Sequence, residues 1–102
     1  MTKFMLTYYG MPQHESREAG DASRVKFMAW LAELGDAVVN PGTPLGPAKK
    51  VSAGGVADAA GPDRLTGFTM VQAAGMADAI EMVKRCPFLE YGTMDVAEVF
   101  EM

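Results

Sequence analysis

One cysteine and one histidine serve a chain of 102 residues, and each scarcity excludes something. A lone cysteine cannot close a disulfide within the chain, which agrees with a reducing compartment. A lone histidine and a lone cysteine fall short of the three or four protein ligands that tetrahedral zinc takes. Neither a metal nor another cofactor is expected. Positive charge is also scarce: 9 Lys and Arg against 13 Asp and Glu give a net charge of -4. No basic cluster offsets that total, so nucleic acid is not an expected partner. No apolar run approaches the ~20 residues that a membrane helix needs. No apolar signal region follows Lys3. The expectation is a cytoplasmic protein with no membrane partner.

What is present is an ordinary globular mix, with 49% hydrophobic and 22% charged residues. This length makes one domain over residues 1–102. Roughly two-thirds of the unfolded chain's surface can be buried at this size, enough for one core.

Residues 3–9 (KFMLTYY) read as a strand, ended by Gly10 and Pro12. Residues 11–22 are polar, contain Pro and Gly, and read as a loop with at most a short helical turn. Residues 23–34 fit a helix whose stripe is Phe27, Met28, Leu31 and Leu34, with Trp30 beside it. Asp21 or Ser23 suits its cap and Gly35 its end. A short strand follows at 36–40, then another candidate at 49–52. Residues 53–63, small and Gly-rich, read as a hairpin loop. Residues 66–73 form a strand. A helix at 76–85 carries Met76, Ala79, Ile80 and Val83 on one face and is stopped by Pro87. Residues 93–100 close the chain as a strand.

With the 49–52 strand paired in a hairpin, this order is an α+β, ferredoxin-like split βαβ arrangement, an antiparallel sheet with two helices on one face. The strands at 3–9 and 66–73 are apolar on both faces. Two helices cover one face only, and a contiguous apolar patch usually marks an interface. The simplest cover is a second copy, so a homodimer is expected.

Three stretches carry a family resemblance: residues 29–51 (AWLAELGDAVVNPGTPLGPAKKV), residues 65–73 (LTGFTMVQA) and residues 86–99 (CPFLEYGTMDVAEV). In this order they resemble the YCII-related family of the dimeric α/β-barrel superfamily. That resemblance implies a ferredoxin-like monomer and a face-to-face homodimer, and little about chemistry. In one branch a His in the first helix and an Asp before the Pro closing the second helix form a suspected catalytic dyad. Arg24 and Cys86 stand at those places here, so the dyad's chemistry does not carry over. Another branch has Asp-Gly-Pro-Phe before the fourth strand; here the region reads DAAGPDRLTG.

The candidate site residues follow from side-chain chemistry. His14 is the candidate catalytic acid or base near neutral pH; its plainer reading is a solvated loop residue. Tyr8, Tyr9, Trp30 and Tyr91 suit an apolar pocket wall with polar tips, or a core and dimer seam. Arg64 beside Asp63 could bind a polar ligand, or form a surface pair of little weight. Cys86 ends a helix, whereas a reactive thiol prefers a helix N-terminus; burial as a small apolar residue is the simpler account. Glu90, Asp95 and Glu98 suggest a paired-carboxylate site only by proximity in sequence. Gly54 and Gly55 lack the Lys and spacing of a phosphate loop. Two function classes remain open. One is a protein or enzyme that takes a small organic ligand near the end of the first strand. The other is a dimerisation module without a substrate.

Overall fold

A computed structural model describes residues 1–10 and 16–100; His14 lies outside them. The chain runs β1 (Thr2–Tyr9), α1 (Arg17–Leu34), β2 (Val38–Asn40), β3 (Ala48–Ser52), β4 (Gly55–Ala59), β5 (Leu65–Ala73), α2 (Met76–Lys84) and β6 (Thr93–Glu98), with single 3-10 turns at Gly35–Ala37, Gly61–Asp63 and Pro87–Glu90. Four strands make one sheet in the order β2-β5-β1-β6, and every pairing in it is antiparallel. The long strands β1 and β5 sit in the middle because they are the most apolar. The result is an α+β fold.

Along β1 the buried residues are Phe4, Leu6 and Tyr8; along β5 they are Gly67, Thr69, Val71 and Ala73. A period of two puts each set on a single sheet face. Leu6 is the Cα partner of Thr69, and Tyr8 of Gly67. Trp30 and Leu34 from α1, Ala79 and Val83 from α2, and Cys86 complete the same core. The alternate residues Met5, Tyr9, Phe68 and Met70 lie on the other face and are half-buried.

Several expectations need correction. Helix α1 begins at Arg17, one and a half turns before residue 23. Ser16, not Asp21 or Ser23, is its N-cap, its hydroxyl accepting from the Ala19 N–H at 3.1 Å. The cap and Glu18 in the first turn outweigh the roughly 1 kcal/mol cost of Gly20 inside the helix. The stripe of α1 is also rotated. Met28 is 57% exposed and Trp30 only 2%, because the Trp30 indole N–H donates to the Met82 carbonyl at 2.9 Å and so buries without a lost hydrogen bond. On α2, Met76 and Ile80 are exposed while Ala79 and Val83 are buried, with Met82 packed against the core. Finally, residues 55–59 are a strand and not loop. β4 pairs with β3 from Ala48↔Ala59 to Ser52↔Gly55, leaving only Ala53 and Gly54 as the turn. This hairpin is a separate two-stranded sheet.

Candidate functional site

The apolar layer between α1 and the sheet is incomplete at the end of β1. A cleft of about 400 Å³ opens there. One wall is a single face of α1: Arg24, Phe27, Met28 and Leu31 follow the i, i+3, i+4, i+7 rule and all line it. The opposite wall is Tyr8 with the start of β5, Thr66 to Thr69. Phe88 closes one side and the 41–44 loop the other.

Local backbone features hold this shape. The β1–β5 register slips between Tyr8 and Tyr9, so Thr66 is skipped, and its hydroxyl donates to the Tyr8 carbonyl at 3.3 Å. Gly67 faces Tyr8, and a Cβ there would sit 3.4 Å from the tyrosine ring and from the Thr43 carbonyl. Gly42 has φ +76, and any Cβ would overlap the Phe68 carbonyl oxygen. Only glycine both adopts that angle and permits that approach. The Asn40 side chain accepts from the Gly42 N–H at 2.8 Å, and the Leu45 N–H donates to the Thr66 carbonyl at 2.9 Å. The loop is thus pinned to β5.

The polar side chains of the cleft are ordered. Tyr8 Oη lies 2.7 Å from Thr69 Oγ1, and Thr69 Oγ1 donates to the Pro41 carbonyl at 3.0 Å. A hydroxyl has one proton, and a carbonyl only accepts. Thr69 therefore spends its proton on Pro41, and Tyr8 must donate to Thr69. Tyr8 Oη is left with acceptor capacity and no free proton. Burial away from water raises the Tyr8 phenol well above its ordinary range, and the nearby Cys86 adds to it. Around it, Phe27 and Phe88 meet the Tyr8 ring edge-on at 5.8 and 5.1 Å. Arg24 is the one charged residue lining the cleft among the described residues. Its side chain is exposed, with Asp21 one turn back at 3.5 Å.

A smaller cleft of about 240 Å³ adjoins, sharing Arg24, Phe27 and Phe88. Ser23 and Tyr91 also line it, and the Ser23 hydroxyl donates to Tyr91 Oη at 3.0 Å. Tyr8 and Tyr91 thus lie on two neighbouring hollows. Tyr9 points to the other sheet face, and Trp30 is buried behind Phe27, ring centroids 5.6 Å apart. Arg64 lines neither cleft; its carbonyl accepts from the Gly10 N–H at 2.9 Å, and its Nε is buried without a hydrogen-bond partner among the described residues. No group of three or more His, Cys, Asp or Glu that could hold a metal occurs among the described residues. None of their helices is long and apolar enough to cross a membrane.

Cys86 is buried in the core, and burial pushes its thiol from 9.0 up to about 11, against the lowering effect of the Phe88 backbone hydrogen bond. The folded state favours the neutral thiol. That contribution to stability is complete below pH 9 and is lost as pH climbs through about 11. A disulfide reagent at pH 8 should therefore modify the folded protein about a hundredfold more slowly than the urea-unfolded chain, because only the thiolate reacts. Equal rates would show that Cys86 is open to solvent and ionised like a free thiol.

Several lining residues were not singled out from sequence as site residues: Phe27, Phe88, Thr69 and the 41–44 loop. Arg24 stood out only for its place in the first helix. Thr69 carried a signal, since it is a hydroxyl among the inward-facing positions Gly67, Val71 and Ala73.

The YCII-related domain profile matches residues 2–102, and the chain belongs to that family. Among solved structures it is similar to 5-chloro-2-hydroxyhydroquinone dehydrochlorinase (TftG) from Burkholderia phenoliruptrix AC1100, in complex with 2,5-dihydroxybenzoquinone. The TM-score is 0.63 at 16% sequence identity, over 98% of this chain and 95% of that one. At that identity the likeness is one of fold. No curated protein sequence matches the chain.

Proposed function

We propose that this protein binds a small, flat, hydroxylated organic molecule in the cleft between α1 and the sheet. The observation that carries this reading is the cleft itself: about 400 Å³, aromatic on two sides, with the ordered hydroxyl chain Tyr8–Thr69–Pro41 along one wall. Mostly apolar walls with a few placed polar groups suit a small organic ligand. The similar dehydrochlorinase holds a dihydroxybenzoquinone, a molecule of this size and kind, and that adds an analogy of fold.

The proposed assembly is a cytoplasmic homodimer of ferredoxin-like split βαβ subunits. The β2-β5-β1-β6 order supports the subunit, and the uncovered apolar residues on the second sheet face support the pairing. His14, four residues beyond Gly10, is the proposed acid–base group for any turnover, because the described residues lining the cleft include no histidine, aspartate or glutamate. Tyr9, Trp30, Arg64 and Cys86 do not line the cleft. For them the bulk of the core, the opposite sheet face and the end of β1 are the better accounts. A module that only dimerises is the competing reading, and a solid core would have favoured it.

Thermal shift with dihydroxybenzenes and benzoquinones tests the proposal. A ligand at a hundred times its Kd stabilises by about 2.7 kcal/mol. That corresponds to a Tm rise on the order of 10 °C for a domain this small. Thr69→Val, which removes the partner that fixes the Tyr8 proton, should reduce the shift. If no compound raises Tm or perturbs Trp30 fluorescence, the dimerisation module is the right reading.

A further inference from the structure

The two polar features of the cleft are opposite in kind. The hydroxyl chain ends in an acceptor, because Tyr8 donates its proton to Thr69 and Thr69 donates to the Pro41 carbonyl. A ligand atom that meets Tyr8 Oη must therefore donate. Across the aromatic strip of Phe27 and Phe88, the rim carries a guanidinium. Arg24 lies one helical turn before Phe27 on the same face of α1 and lines both adjoining clefts. Among the described residues it is the one charged residue lining either hollow. The Asp21 contact at 3.5 Å is exposed on both sides and holds it weakly. A guanidinium next to an apolar slot offers a planar fork of donors to a carboxylate or similar oxyanion.

We infer that the ligand is a bipolar aromatic anion, with a hydroxyl group donating to Tyr8 Oη and an anionic group at the other end of the ring paired with Arg24. This rests on the reading that the cleft holds a flat organic molecule, and it adds the charge and orientation of that molecule. The aromatic strip accepts the ring, the buried end selects hydroxyl, and the exposed rim selects negative charge. An acidic protein of net charge -4 repels anions in general, so the selection is local to Arg24. It should weaken with added salt.

Matched probes separate the two claims. 4-Hydroxybenzoate, its neutral methyl ester and unsubstituted benzoate are titrated by calorimetry and by amide chemical-shift changes. 4-Hydroxybenzoate should bind at least tenfold more tightly than the ester, and at least threefold more tightly than benzoate. Arg24→Gln should bring acid and ester within threefold of each other. Arg24→Lys should keep part of the gap, since it keeps charge and loses the fork. The Arg24 side chain is exposed, so both variants should melt with the wild type, and an unchanged Tm shows that folding is not at issue. Asp21→Asn, which frees the guanidinium, should tighten 4-hydroxybenzoate severalfold and leave the ester unchanged. If the ester binds as tightly as the acid, or if Arg24→Gln keeps the full gap, the anionic assignment is wrong while the cleft reading stands. If none of the three probes binds, the cleft reading falls and this inference falls with it.

Discussion

Trp30→Ala should lower the stability of the fold by about 3–5 kcal/mol, the cost of truncating a buried tryptophan to a methyl group. Most domains of this size have only about 5–15 kcal/mol to lose, so the variant should be partly unfolded at 37 °C. The reason is positional. Trp30 is 2% exposed and spans the seam between the two helices, with its indole N–H on the Met82 carbonyl at 2.9 Å and its ring tilted against Phe27. Truncation leaves a cavity under the wall of the cleft and frees α2 from α1. Trp30→Phe separates the terms. It refills most of the volume and loses the hydrogen bond, while the Met82 carbonyl keeps the Arg85 N–H at 3.3 Å. A loss of about 1–2 kcal/mol is expected there. Urea unfolding followed by far-UV circular dichroism gives both values. A Trp30→Ala midpoint close to that of the wild type would mean that the helices do not depend on this contact.

The second large effect concerns assembly. Sedimentation at micromolar concentration should give twice the chain mass, and Met70→Asp should give the chain mass alone. Met5 and Met70 are direct Cα partners at the centre of the sheet, on the face away from the helices. An aspartate there would be buried without a partner in a face-to-face dimer, which costs several kcal/mol. The dimer should weaken at least a hundredfold. Because position 70 lies off the main core, the monomer should stay folded, and the amide spectrum checks this. A wild-type chain that sediments as a monomer at tens of micromolar would overturn the homodimer. A Met70→Asp dimer would place the seam elsewhere.

Where apolar pattern and stop signals coincide, sequence and structure agree closely. β1, β5 and α2 fall within a residue or two of their expected ends, with Gly10 stopping the first and Pro87 the last. The first turns of α1 were hidden because Arg17, Glu18 and Asp21 face water and leave no stripe to read. β4 was hidden for a related reason. Its residues GVADA are almost all exposed, and the cross-strand ladder to β3 holds it without burial. In the cleft, Tyr8 was legible as an aromatic with a polar tip at a strand end. Phe27 and Phe88 were not, since the wall of a hollow and the filling of a core use the same side chains. Only the gap between them differs, and that depends on the bulge at Thr66 and the path of the 41–44 loop.

That loop separates two things that proteins often entangle. The position of the cleft's lip is held by main-chain atoms, with the Gly42 backbone pressed on the Phe68 carbonyl and Leu45 tied to Thr66. The lining is held by side chains that can be exchanged singly. A descendant of this chain could therefore acquire a new taste in ligands by changing Arg24, Met28 or Thr43 while the aperture stayed where it was. Gly42 is the position at which that freedom ends.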